Sequence, residues 1–376
     1  MSRHLHQDLR TSKQRNAPPA IIAYNRIDGP GSSLDIREFQ QALWTMPQLP
    51  EDLNGDPCLA WSKGLPRTVG ITIDTGTRVE AHPLEGDRIG IRSVDYDEEI
   101  VVKSGHVPPT KANWLLKIMD VFHLSGVIFV IRNLRFGVLS AGLGGSATVS
   151  TAVCLLANEL AGRLFGDTQL ISLASRMETD LGISITGTQE QSNVVYGGVM
   201  DYVWFPWGIP GQPESSYGSS VRAQLLDSRD YSALEARMAI FHSGITRASM
   251  DTNAVWRKAL STPEGLKAHI RKAEIAYQYR EGLRLKDWDR VKEAIAAYRH
   301  ARADLCPQYM HGAHEITQRA EAKGGTTFPL GAGGGGGILV FCPDPGALVA
   351  IRSDLRRDYG EIDFHIKSRG HEVVNL

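Results

Sequence analysis

The stretch Val138-Leu139-Ser140-Ala141-Gly142-Leu143-Gly144-Gly145-Ser146-Ala147-Thr148 decides how this chain is read. Its glycines let backbone N–H groups approach an anion closely. The spacing predicts a helix from about Ser146 to about Ala161, with Val149, Val153, Leu156 and Leu160 along its apolar stripe and Gly162 as its stop. Free N–H groups and the dipole at that helix start would add to the same anion site. Hydroxyls of Ser146 and Thr148 are available to a phosphate or a phosphate-bound metal ion. The plainer reading is a glycine-rich turn that feeds a helix. The string also matches G-x-G-x-x-A, the dinucleotide fingerprint, which should follow a strand directly and find its acidic partner at the end of the next strand. Here the preceding strand, over 127–131, stops several residues early, and Glu159 falls inside the helix. No G-x-x-x-x-G-K-[ST] string occurs, which excludes a P-loop.

Outward from this loop, apolar runs predict strands over 20–24, 69–73 and 77–81, with Asp74-Thr75-Gly76 as a turn between the last two. Thr110 is placed to cap a helix running to 123, and Asp167 the helix that follows the glycine-loop helix. Residues 197–205 read as a strand, and 206–220 as a loop that marks a domain boundary. Beyond it lie a strand over 239–242, helices over 264–303 broken near Lys286-Asp287, a helix over 307–323, and strands over 338–342 and 362–366 flanking a helix over 345–359. Domains over 20–212 and 213–376 result, behind a polar leader over 1–19 that is expected to be disordered. A second glycine run, Gly331-Ala332-Gly333-Gly334-Gly335-Gly336-Gly337, is entropically costly between two patterned elements, so a bare backbone must be needed there.

Composition narrows the function. The 376 residues hold 41 Lys+Arg against 42 Asp+Glu, a net charge of −1, which leaves no basic excess for a nucleic-acid backbone. The leader lacks the apolar core of a secretory signal, and no window of 18 apolar residues suggests a membrane span. Cys58, Cys154, Cys306 and Cys342 form no C-x-x-C pair, so reduced thiols in a cytoplasmic protein are expected. Glu178 and Glu190 are candidate carboxylates for a divalent metal or a proton, although each alone reads equally as a solvated residue. His311, His314 and Glu315 sit at helical spacing but lack a further ligand, so they read as a surface cluster.

Taken in order, three motifs resemble those of the GHMP kinase superfamily over about residues 20–376: Asn25-Arg26-Ile27-Asp28 through Leu34-Asp35, the glycine loop 142–147, and Leu330-Gly331-Ala332-Gly333-Gly334-Gly335. Gly187-Thr188-Gln189-Glu190-Gln191, Tyr196-Gly197-Gly198 and His242-Ser243-Gly244-Ile245-Thr246-Arg247 point to the heptose 7-phosphate 1-kinase branch. The resemblance implies an α+β two-domain fold, with an N-terminal domain like ribosomal protein S5 domain 2 and a ferredoxin-like C-terminal domain. ATP and a sugar, sugar phosphate or sugar-like cyclitol phosphate would meet between them.

By the same resemblance, Gly142, Leu143, Gly144, Gly145, Ser146, Ala147 and Thr148 would wrap the ATP phosphates, and Ser146 with Glu178 would hold Mg2+. Glu190 and Arg26 would be catalytic. Asp35, Asp28, Gln191, Tyr196, Thr246, Arg247, Gly333 and Gly334 would bind the acceptor. Whether the chain forms a homodimer is open at this stage.

The departures are specific. Glu190 stands where the family has Asp, and its extra methylene displaces the carboxylate by roughly 1.5 Å. A misplacement of about 1 Å can cost on the order of 100-fold in rate, so the pocket compensates or activity falls. Val138 replaces a Pro and Gly145 a Ser of the phosphate motif, while Gly31-Ser32-Ser33 replaces a Gly-Gly pair, which implies a remodelled acceptor pocket. The reading is an ATP-dependent small-molecule kinase. Against it stand a sugar-phosphate-binding relative with weak or lost activity and a dinucleotide-dependent oxidoreductase.

Overall fold

The computed structural model describes residues 17–44, 65–135, 141–205, 220–245 and 249–375. Most of the 1–19 leader, much of the 206–220 loop, and Cys58, Thr246 and Arg247 lie outside the described residues.

Two sheets organise the chain. The larger runs β12 (His371–Val374), β1 (Ala20–Asp28), β2 (Arg67–Pro83), β5 (Val127–Asn133), β3 (Arg88–Ser93) and β4 (Glu98–Lys103), with β6 (Val199–Trp204) on the first half of β2 and β7 (Ser220–Gln224) beyond β6. Strands from both sides of residue 212 therefore build it. Every pairing in it is antiparallel except β3 with β5. That arrangement removes the dinucleotide-fingerprint reading, which needs a doubly wound parallel sheet. The smaller sheet has the order β11 (Gly360–Ile362), β8 (Met238–His242), β10 (Gly337–Phe341), β9 (Thr326–Pro329), all antiparallel. Helices Pro263–Leu285 and Trp288–Leu305 separate β8 from β9, and helix Pro345–Leu355 separates β10 from β11. The 4-1-3-2 strand order of a ferredoxin-like domain results. The expected two-part α+β architecture is the one observed.

The helix after the glycine loop, Gly145–Leu160, is buried on nearly every side because it lies between the large sheet and other helices. Its Val153, Leu156 and Ala152 pack with Val79, Phe129 and Ile118 in one core. A second core joins the sheets, bringing Ile27, Val69 and Ile71 against Ile240, Leu339 and Tyr279. The third lies on the far face of the small sheet, around Trp256, Tyr309 and Ile351. Among the described residues no helix is long and apolar enough to cross a membrane.

Four local expectations are corrected. Residues 69–81 do not fold into a hairpin. They lie within the 17-residue strand Arg67–Pro83, in which Asp74 and Thr75 bulge out between the pairs Ile73–Asn25 and Gly76–Tyr24. The bulge frees Asp74 to exchange bonds with His365: its N–H donates to the His365 carbonyl at 2.8 Å, and its carboxylate accepts the His365 N–H at 2.8 Å. Thr110 caps nothing with its side chain; a 3-10 turn over Lys111–Asn113 precedes helix Trp114–Val121. Gly166, not Asp167, is the N-cap of helix Asp167–Asp180, and its N–H is held by the Gln169 side chain at 2.9 Å. The 307–323 segment splits into a 3-10 turn Pro307–Met310 and helix His314–Glu321, because Gly312 turns the chain at φ 77°.

Leu156 is fully buried in the core beneath the glycine loop. Leu156→Ala removes its packing and leaves a cavity, so denaturant unfolding should show a loss of about 2–5 kcal/mol.

Candidate active site

A cavity of about 590 Å3 crosses the large sheet from β4 and β3, past β5, to the end of β1. One end is rich in apolar side chains, Ile91, Ile100, Leu115, Ile131 and Val149 with Tyr96 and Trp114, and the same strands and their connection also bring Ser93, Asp95, Glu98 and Asn133 to the lining. The other end is polar, lined by Ser32, Ser33, Asp35, Thr186, Gly187 and Arg302. Between them stand Gly142, Leu143, Gly144, Gly145, Ser146 and Ala147, with Arg26, Glu178 and Glu190.

The glycine loop owes its shape to positions where a side chain has no room. Gly142 (φ 72°) lies against the backbone of Leu330 and Gly331, so a Cβ there would sit 2.8 Å from the Leu330 carbonyl oxygen. Gly145 begins the helix and lines the cavity, and a Cβ built on it would meet nothing within 4 Å. Thr148 contributes differently from the expectation. Its hydroxyl donates back to the Gly144 carbonyl at 3.0 Å, and its side chain is buried outside the cavity.

Arg26 is the central cation. It reaches from β1 to bond the Gly142 carbonyl at 3.0 Å, and it pairs tightly with Glu190. Burial pulls its guanidinium down, but Glu190, Asp28 and Asp35 outweigh that and hold it above its ordinary range. The second oxygen of Glu190 accepts the Thr186 hydroxyl at 3.3 Å. Asp35 is buried, and its carboxylate accepts the Gln189 N–H at 2.9 Å. Burial and the charge of Glu190 push it up to about 6, against the pull of that N–H and of Arg26. Gly187 makes room for it; a Cβ there would lie 2.1 Å from the Asp35 carboxylate.

Glu178 is 1% exposed and accepts three hydroxyls: Ser150 at 2.8 Å, Ser146 at 3.0 Å and Ser184 at 3.1 Å. Burial and the nearby Glu190 still push it up to about 7. Gln191 stands behind it, its amide donating to Glu178 at 3.4 Å, so Gln191 supports a carboxylate and does not line the cavity.

Other expected acceptor ligands are also redistributed. Asp28 is fully buried beneath the second glycine run, where its carboxylate accepts the Gly331 N–H at 3.0 Å. Gly333 and Gly334 support that run from outside the cavity: a Cβ on Gly333 would sit 1.8 Å from the Tyr309 ring, and the Gly334 N–H bonds the Tyr309 carbonyl at 2.8 Å. Tyr196 faces away, with the Arg222 guanidinium 3.6 Å over its ring. Of the expected acceptor residues described, Asp35 alone lines the cavity.

Sequence reasoning missed the apolar end and Arg302. Arg302 extends the buried stripe Val291, Ile295, Tyr298 of its helix, and Lys272 lies between His269 and Ala273 on the buried stripe of the preceding one. A cation at a position where the helical period demands an apolar residue was the available signal.

Residues 117–198 match the family model described as the GHMP kinases N terminal domain. Solved structures share the fold along nearly the whole chain. A Lin0012 protein from Listeria innocua superposes with a TM-score of 0.72 at 12% identity, covering 95% of this chain and 99% of that one. A D-glycero-D-manno-heptose 1-phosphate kinase from Bacteriodes thetaiotaomicron gives 0.67 at 15%, covering 95% and 99%. Lactococcus lactis galactokinase, complexed with galactose, gives 0.63 at 14%, covering 100% and 99%. No curated protein sequence matches the chain.

Glu178 titrates at about 7 when folded against an ordinary 4.5, so the folded state binds more protons than the unfolded state between those values. Its contribution to stability therefore falls as pH rises through that window. Urea unfolding of the metal-free protein at pH 4.5 and 7.5 should show that fall, and Glu178→Gln should reduce it, leaving the part that Asp35 contributes.

Proposed function

We propose that the chain is an ATP- and magnesium-dependent kinase. It would transfer the γ-phosphoryl group to a hydroxyl, by the family resemblance the C1 hydroxyl, of a sugar, sugar phosphate or sugar-like C7-cyclitol phosphate. One observation carries this reading. A helix N-terminus behind a glycine loop, a buried arginine paired with a half-buried carboxylate, and a polar pocket share one cavity whose far end is rich in apolar side chains. The apolar end suits a flat heterocycle, the loop suits a polyphosphate, and the pocket suits a hydroxylated acceptor. The family-model match over residues 117–198 and the sugar kinases among the structural relatives support the same reading.

The donor set fits a hard divalent cation. The Glu178 carboxylate and the Ser146 hydroxyl are oxygen ligands at the glycine loop, and Glu178 and Glu190 repel one another in the absence of a counter-charge. Mg2+ held by these two residues would supply charge neutralisation at the phosphates.

The protein's own groups do the rest. Glu190, aimed by Arg26 and Thr186, orients the acceptor hydroxyl and accepts its proton. Arg26 offers its charge where negative charge gathers on the transferred phosphoryl group. Pinning by Arg26 is how the longer Glu side chain keeps a fixed position.

ATP with Mg2+ should raise the melting temperature, because a ligand that binds only the folded state stabilises it, whereas NAD should leave it unchanged. A shift with NAD and none with ATP would defeat the kinase reading. On a verified acceptor, Glu190→Gln should lower kcat by about 100-fold or more with little change in ATP affinity. Full turnover by that variant would pass the proton-accepting role to Asp35. Glu190→Asp should also slow the reaction, since the shorter chain withdraws from Arg26; faster turnover would mean that the pocket is still shaped for Asp.

A further inference from the structure

At the polar end of the cavity two cations are buried beyond what the kinase reading uses. Arg302 and Lys272 are both 0% exposed. Among the described residues neither has a carboxylate within 4.0 Å, since Glu190 is committed to Arg26, Asp35 accepts the Gln189 N–H, and Asp28 accepts the Gly331 N–H. Buried cations are costly unless paired. Arg302 lines the cavity and spends its bonds on neutral oxygens: the Gly331 carbonyl at 2.9 Å, the Ala332 carbonyl at 3.3 Å, the Tyr298 hydroxyl at 3.3 Å and Ser32 Oγ at 3.5 Å. Its buried Nε–H has no hydrogen-bond partner. Lys272 stands immediately behind the lining, its Nζ donating to Ser33 Oγ at 3.1 Å between the rings of Phe39 and Trp256. Ser33 holds φ 73°, a left-handed conformation that a serine adopts at a cost. Strain kept at a cavity wall marks a working position.

The geometry points to an acceptor that already carries a phosphate monoester, seated on Ser32, Ser33 and Arg302 with Lys272 as the charge behind it. This rests on the kinase reading and deepens it: the substrate becomes a phosphorylated polyol, distinct from a neutral sugar. A dianion with three terminal oxygens answers two cations and the Ser32 hydroxyl, where a neutral hydroxyl or a single carboxylate leaves charge unmatched. The Ser33 hydroxyl donates to the Ser32 carbonyl at 2.5 Å and links Lys272 to the lining.

The groups around Lys272 are Ser33 and Asp35 after β1, Phe39 on helix Arg37–Trp44, Trp256, His269 one turn earlier, and Arg302. Burial, then Arg302, holds the ammonium well below its ordinary range against the opposing pull of Asp35, and burial keeps His269 neutral. An arriving dianion adds a negative charge beside both Lys272 and Arg302.

The test begins with a titration of a non-hydrolysable ATP analogue with Mg2+, which occupies the glycine loop. Inorganic phosphate is then titrated into the loaded protein by calorimetry at pH 8. Saturable binding is expected. Lys272→Met, which replaces the buried amine by an apolar chain of similar size, should weaken phosphate by about tenfold or more. Arg302→Gln should weaken it by at least as much, while analogue affinity changes less than about threefold in both. The proposal is overturned by no saturable phosphate binding, by full binding in both variants, or by sodium acetate binding as tightly as phosphate. Failure of the analogue to bind defeats the kinase reading at the first step. Analogue binding without phosphate binding defeats only the seat.

Discussion

The buried guanidinium of Arg26 is the contact on which the rest of the site depends. It leaves β1, bonds the glycine-loop carbonyl of Gly142 and pairs with Glu190 on helix Gln189–Tyr196. Three chain segments far apart in sequence are thereby fixed around one charge. Removing Glu190 would leave the buried Arg26 charge without its nearest carboxylate, which is costly. Loop position and carboxylate position are therefore not independently adjustable.

The two glycine runs form the next layer. Gly142 and Gly331 touch backbone to backbone, the Gly337 N–H bonds the Ala141 carbonyl at 2.9 Å, and Asp28 holds Gly331 from below. A Cβ at these crossings would separate the runs, and with them the two sheets. The core joining Ile27 and Val69 to Ile240 and Leu339 lies under this seam, so the cavity has a rigid floor.

What could be read in the sequence follows from what each residue type is constrained to do. Clustered glycines announce a backbone that must come close to something, and the runs at 142–145 and 331–337 do so. Arg26, Asp35, Glu178 and Glu190 were legible because they sit in short motifs beside such glycines, and all four face the cavity. Motif membership places a residue near a site without telling which way it points, hence the misreading of Thr148, Gln191 and Tyr196. The apolar end was illegible for another reason. Ile91, Ile100 and Ile131 are ordinary strand residues, and only the order β4-β3-β5 makes them neighbours. The Asp74 bulge looked like a turn because its reason, the segment at His365, lies almost 300 residues away.

The pairing of β12 with β1 bears on how the molecule is made. Residues 371–374 lie antiparallel to Ala20–Ala23, at the edge of a sheet whose other strands come almost entirely from the first 224 residues. On a ribosome the earlier residues emerge first and can begin to pack, yet one flank of β1 stays uncovered until residues 371–374 have been synthesised. During that interval β1 presents unpaired backbone groups, the kind of edge that invites pairing with another chain. A site built around Arg26 on β1 thus waits on residues 371–374 to seal the sheet beside it.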